Sequence, residues 1–361
     1  MVGAVFIIEI TLIASALLLY LFPPSSAWVE RYFSASYYPR LQRAITPVSD
    51  RIPFAINDVL TVLLIVLLPS WWILRIRSAG RGRRAAALAK LVLNTAALAA
   101  GGFLLFELIW GLNYLREPLA IKLDFDRGRV NEAAAVKLAD LSVTQMNALS
   151  PAAHMSAWPD LSDWSKTLQP SFQAVVEELG DPGGTAPARA KKTLFDFYLT
   201  AAGIDGFTNP FGLEVILDTR LLPQEQPFAL AHEWAHLAGF ADESEANFIA
   251  LVSCLRSEYA PLRYAGWLVA YPSLAYAARA NSDERPTRPQ LAAEVKADLA
   301  ALEKRRSEGV KPWVSNAEWK IYDRFLRANG VQAGVQSYDL FVQLTLGTRF
   351  NDGWLPQLRS K

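Results

Sequence analysis

Three apolar runs dominate the first third of the chain. Residues 3–22 carry a single charge, Glu9, and further runs cover 53–74 and 91–110. Each is long enough to cross a hydrocarbon core of about 30 Å. No lysine or arginine precedes the first run and no small-residue cleavage site follows it, so it reads as a retained span. Trp71 and Trp72 are expected in an interfacial aromatic belt, and Gly101-Gly102 offers a place for a neighbouring helix to approach. Glu9 and Glu107 are carboxylates in or near spans, for which a bundle-facing or interfacial position is expected. Beyond 110 the apolar positions recur at helical spacing over 130–141, 168–179, 187–201, 226–238, 243–278 (broken near Pro261 or Pro272), 289–306, 316–329 and 335–346. One stretch departs from this. GLEVILDTRLL, 212–222, has the β-branched and aliphatic content of a strand. The pattern predicts a mainly α-helical protein, with a three-span transmembrane region over 1–110 and a second domain over 111–361.

Charge orients the spans. The segment RIRSAGRGRR between spans two and three holds five arginines and no acid, whereas 23–52 holds four arginines and two acids. The first is expected to be cytoplasmic, which puts 23–52 and everything after Trp110 on the extracytoplasmic side. The mean hydropathy of +0.15 and 52% hydrophobic content agree with a membrane protein. A net charge of +1 gives no electrostatic footprint for nucleic acid. The lone cysteine, Cys254, excludes an internal disulfide framework and lies in an apolar run that reads as packing.

Two of the three histidines stand four residues apart in HEWAHLAGFADESEAN. On a helix His232 and His236 leave the same face with Glu233 beside them, the spacing at which two imidazoles hold a metal ion and a carboxylate takes a proton from water. A third protein ligand is needed. Gly239 ends the helix, and Asp242, Glu243 and Glu245 then compete for the role. Asp242 sits ten residues after His232, the metzincin-like offset. Glu243 opens a Glu-x-x-x-Asn pattern, in which Asn247 shares its face and can hydrogen-bond toward a liganding histidine. A hydrogen-bonded histidine pair in a core, with the acids as a helix cap, is the structural counterpart of this reading. The metal reading implies a zincin-like domain with a small β element before the HExxH helix, whose strand at 212–222 either pairs with substrate as an edge strand or belongs to the core.

These motifs, with GFTNPF at 206–211, GLNYLREP at 111–118 and VQSYDLFVQL at 335–344, resemble the bacterial DUF3810 family, membrane proteins of unassigned function with a zinc-peptidase-like signature. The resemblance covers nearly the whole chain. It implies His232, Glu233, His236 and an acid of the ESEAN segment as the site, and it supplies no substrate. Asn113, Tyr114 and Arg116 match its post-membrane motif, either as an interfacial collar or as residues reaching the cleft; Asn209 and Pro210 match the motif before the strand.

The function expected from the sequence is a multi-pass zinc (Zn2+) metallopeptidase of the bacterial cytoplasmic membrane, acting on an envelope peptide or protein. His232, His236 and Glu243 are its ligands, Glu233 its general base and Asn247 the partner of a ligand. An oxyanion donor is expected opposite Glu233, with Tyr338 the candidate and Tyr264 a weaker one. The histidines lie about 120 residues past the last span, which places the chemistry outside the hydrocarbon. The alternatives are a non-catalytic zinc-stabilised sensor or assembly protein and a zinc-dependent cell-wall amide hydrolase.

Overall fold

The computed structural model describes residues 2–155, 157–181, 183–278, 288–329 and 340–359. The membrane-proximal part consists of α1 (Val2–Leu21), α2 (Ser26–Trp28), a π-helical stretch Val29–Tyr37, α3 (Tyr38–Asp50), α4 (Ile56–Ser78) and α5 (Arg84–Ile109). Among the described residues α1, α4 and α5 are the helices long and apolar enough to cross a membrane. α1 stops just before Pro23-Pro24, which remove a donor and force the preceding residue out of helical geometry. α1 and α4 both pack on α5. Glu9 is turned inward: the Asn94 amide of α5, oriented to donate, lies 2.9 Å from its carboxylate. Trp72 donates to Thr95 across the α4–α5 contact at 3.2 Å.

After a 3-10 turn at Gly111–Leu115 the chain forms α6 (Leu119–Lys122), α7 (Glu132–His154), α8 (Leu161–Glu178), β1 (Ala190–Lys191), α9 (Asp196–Ala202), β2 (Gly206–Asn209), β3 (Glu214–Leu217), α10 (Gln226–Leu237), α11 (Glu243–Leu255), α12 (Ala260–Ala277), α13 (Ala293–Ser307), α14 (Pro312–Ala328) and α15 (Leu340–Gly347). α11 is the axis of this domain. Every residue in it except Asn247 is buried, and it packs on α8, α10, α12 and α15. Cys254 is one of these packing residues, as its apolar surroundings predict.

Several elements differ from their sequence pattern. The stretch 187–201 is not one helix: β1 and an extended link precede α9, because Lys191 reaches Glu214 at 2.7 Å and the Thr193 hydroxyl bonds Asp58. The helix expected over 130–141 continues to His154, and the one expected from 168 starts at Leu161. The break within 243–278 falls at 256–259. Pro261 stands in the first turn of α12, where its missing N–H costs nothing, and Pro272 stands inside that helix.

The strand expected at 212–222 shortens to β3 and is the middle strand of a three-stranded sheet ordered β1-β3-β2. β1 runs parallel to β3. β2 runs antiparallel, with Thr208 opposite Val215 and Gly206 opposite Leu217. The edge facing α10 is therefore β2, whereas β3 is buried along its whole length.

Residues 26–50, counted in the sequence with the three-span region, are built into the domain. Val29, Phe33 and Tyr38 belong to the same core as α10 and α11. Gln42 exchanges two hydrogen bonds with the Ala186 backbone, and Thr46 donates to Leu213 O at 2.9 Å. The long apolar helix α4 is tied in through its N-terminus. The buried Glu214 carboxylate accepts from Ile56 N and Asn57 N at 3.0 and 2.8 Å, and from Lys191 and Asn209. These are orphan donors at a positive helix end, met by a negative charge. Burial pushes the Glu214 carboxyl up, but Lys191, Asn209 and the two amides outweigh it and hold the group below its ordinary range.

Candidate metal centre

The site is built on α10, whose faces are sharply divided. Trp234 is fully buried, donating to Ala188 O at 2.8 Å and meeting Phe172 edge to face, which fixes the rotation of the helix. His232 and His236 then emerge together on the opposite side. The helix ends at Gly239, whose φ of +81° is a conformation that favours glycine. That turn places Gly239 N on His236 O and Phe240 N on Ala235 O, and swings the Phe240 carbonyl to within 2.8 Å of His236 Nδ1. A carbonyl can only accept, so Nδ1 carries a proton and Nε2 is the ring atom turned toward Glu243. His232 is set the same way by Asn247 Oδ1, 2.9 Å from its Nδ1. The two Nε2 atoms face each other at 3.1 Å.

Asp242 caps α11 by accepting from Ser244 N and Glu245 N, and this start aims Glu243 at the histidines. Its Oε2 lies 3.2 Å from His232 Nε2 and 3.5 Å from His236 Nε2, and has no hydrogen-bond partner. Its Oε1 accepts the Tyr322 hydroxyl. His232, His236 and Glu243 thus form a group that could hold a metal ion. Burial pushes the Glu243 carboxyl up, but the two histidines outweigh it and hold it well below the usual range. Burial lowers His236, yet Glu243 and Glu233 bring it up to about 9. The other two acids do not reach the histidines: Asp242 is the cap, and Glu245 accepts from Leu119 N at 2.6 Å.

Glu233 is buried beside this group. Thr208 Oγ1 of β2 lies 2.9 Å from its Oε2 and 3.0 Å from its carbonyl oxygen. Gly206 lets β2 come this close; a Cβ there would meet Ile216 O at 2.9 Å and Glu233 Oε1 at 3.2 Å. Burial raises the Glu233 carboxyl above its ordinary value, against the pull of the two histidines.

All five residues open onto or support a cavity of about 620 Å³ with a largely aromatic wall that includes Phe106, Trp110, Tyr114, Tyr322 and Phe325. The tyrosine that faces the histidines is Tyr322, on α14. Tyr338 lies outside the described residues. Tyr264 is buried in α12, donating to Asp298 and packing against His154, and has no part in the site.

Two residues of the post-membrane motif serve neither as a collar nor in the cleft. Arg116 donates to Gly239 O at 2.8 Å, sits over the Phe240 ring at 4.1 Å and pairs with Glu30, while buried Asn113 accepts from Ser34 beneath the same turn. Only Tyr114 lines the cavity. Sequence reasoning also missed Thr208, although it lies within GFTNPF, and the Phe240 carbonyl, a main-chain group that no side-chain motif reveals.

No curated protein and no solved structure matches the chain. A family model described as "Protein of unknown function (DUF3810)" matches residues 33–346, and the chain belongs to that family.

Proposed function

We propose that the protein is a membrane-anchored zinc metallopeptidase. The convergence of the two Nε2 atoms and one Glu243 oxygen on a single point carries this reading. Three acceptors separated by 3.1, 3.2 and 3.5 Å repel one another unless a cation or a proton lies among them. Their spacing resembles one face of a donor tetrahedron around zinc, whose edge is about 3.3–3.4 Å for bonds of roughly 2.0–2.1 Å. A nitrogen and oxygen donor set suits zinc, although other divalent ions share it.

Bound zinc would polarise a substrate carbonyl and make water a nucleophile near neutral pH. The chain's own residues supply the rest. Glu233, held by Thr208, takes the proton from the attacking water and returns it to the leaving amine. Tyr322 reaches the same cavity with a hydroxyl that donates to Glu243 Oε1; turned away from that carboxylate when Glu243 binds the ion, it can donate to the oxyanion instead. β2, the edge strand lining the cavity, can pair with an extended peptide.

A closed structural site would carry a fourth protein ligand; among the described residues the group has three and faces a cavity. The test is elemental analysis of purified protein together with peptide hydrolysis. One zinc per chain in wild type and in Glu233→Gln, loss of zinc in Glu243→Ala, and no hydrolysis in either variant is the expected result. A zinc-free wild type, or a Glu233→Gln protein as active as wild type, overturns the reading.

A further inference from the structure

The cavity is not confined to the domain. Asn57, Thr61 and Ile65 of α4 line it, at spacings of four that put them on one face of the helix. Ile65 is nine residues from the start of α4, about 13 Å along its axis at 1.5 Å per residue. Phe106 lines it from α5. Both helices are long and apolar enough to cross a membrane, so the wall of the cavity reaches from the histidine–glutamate group onto two candidate spans. Phe197, which lines the cavity, is about three-quarters exposed (72%), as apolar side chains are when they rest in an interface instead of in water.

One end of this space holds the histidine–glutamate group; the other reaches Ile65 of α4 and Phe106 of α5, on helices of membrane-spanning length. Its occupant must share that polarity. A single acyl chain is slender enough to lie along the α4 face.

We propose, on the basis of the peptidase reading above, that the substrate is a lipid-anchored peptide. Its acyl chain lies along Asn57, Thr61 and Ile65 and against Phe106, and a peptide bond near its polar end is presented to Glu233. Hydrolysis adds the water oxygen to the carbonyl carbon and breaks the C–N bond. One water proton passes through Glu233 to the leaving nitrogen, so the products are a carboxylic acid and an amine with no change of oxidation state.

The experiment uses the full chain in phospholipid nanodiscs with one quenched-fluorescent peptide sequence carrying an N-acetyl, N-octanoyl or N-palmitoyl group. In parallel, the Glu233→Gln protein is irradiated with the palmitoyl peptide bearing a diazirine in its chain, and the adducts are mapped by mass spectrometry. The expected results are a kcat/KM that rises about tenfold or more from acetyl to palmitoyl, flattened in Ile65→Trp and in Thr61→Trp, and adducts on α4 and α5 around Ile65 and Phe106. Adducts there without hydrolysis of any peptide support the chain-binding assignment and sink only the peptidase reading. Chain-length-independent hydrolysis with adducts elsewhere overturns the inference while leaving the peptidase reading standing. Equal cleavage of the same sequence fused to a hydrophobic helix overturns the acyl assignment in favour of a membrane polypeptide.

Discussion

The Trp110 indole N–H donates to the main-chain carbonyl of His236 at 3.0 Å, and the two rings meet edge to face at 6.4 Å. Trp110 is the residue immediately after α5, so that long apolar helix is bonded directly to the helix that carries both histidines. Two neighbouring carbonyls of that helix end are met in the same way, Leu237 O by Tyr38 at 2.8 Å and Gly239 O by Arg116. A helix terminus leaves its last carbonyls without intrahelical partners. Here side chains from the 26–50 segment and from the turn after α5 supply them, which fixes the histidine–glutamate group relative to the three long apolar helices. Trp110→Phe keeps an aromatic ring and deletes the donor. The expected loss is about 1 kcal/mol of stability, read by thermal unfolding of the detergent-solubilised protein; an unchanged melting curve would show that the bond contributes nothing.

Asn247 is the one residue of α11 that is not buried, and it holds His232 in the tautomer that frees Nε2. Partners of this kind are typically worth 10–100-fold in metal affinity. Asn247→Ala is expected to weaken zinc binding by about that factor in a chelator competition, with Asn247→Asp retaining most of it because a carboxylate also accepts from Nδ1–H. Equal affinity in all three proteins would remove Asn247 from the site.

Tyr322 stands 79 residues from Glu243 in sequence and donates to it in space. As oxyanion donor its deletion is expected to lower kcat by roughly 10²–10³ while KM and zinc content stay near wild type. Steady-state kinetics of Tyr322→Phe, with elemental analysis of the same sample, check this. A loss of zinc with kcat per bound zinc unchanged would make Tyr322 a support for Glu243 alone.

Local information explains what the sequence made legible. The spans follow from runs of twenty apolar residues, and His232, His236, Glu243 and Asn247 follow from spacing within sixteen positions, where helix geometry fixes which side chains share a face. Contacts between distant segments left no such trace. Lys191 and Thr193 sit in a stretch of helical composition and are pulled straight by Glu214 and Asp58, each supplied by another part of the chain. β3 reads as a strand from its residues, but its central position depends on β1 and β2, the first only two residues long. The 120 residues between the last span and the histidines imply distance from the membrane, whereas Trp110 and the 26–50 segment fold back to remove it.

Glu214 joins the sheet behind Glu233 to the first turn of α4, and its partner Lys191 has a side chain only 1% exposed. Deleting one member of a buried pair leaves the other charge uncompensated, at a cost of about 3–5 kcal/mol. Glu214→Gln is therefore expected to unfold well below wild type at pH 7, and Glu214→Gln with Lys191→Met to recover much of the difference. The sign of the pH dependence follows from the lowered carboxyl. A group whose folded pKa lies below its ordinary value of 4.5 contributes stability that is complete above 4.5 and disappears as pH falls through the lowered folded value. Wild type should accordingly lose stability on acidification below about pH 4.5, with a shallower acid limb in the double variant because this carboxylate no longer contributes. Thermal unfolding across pH 3–7 (roughly the window set by the linkage) measures both. Parallel acid limbs in the two proteins would show that Glu214 is not the group that couples the sheet to the span.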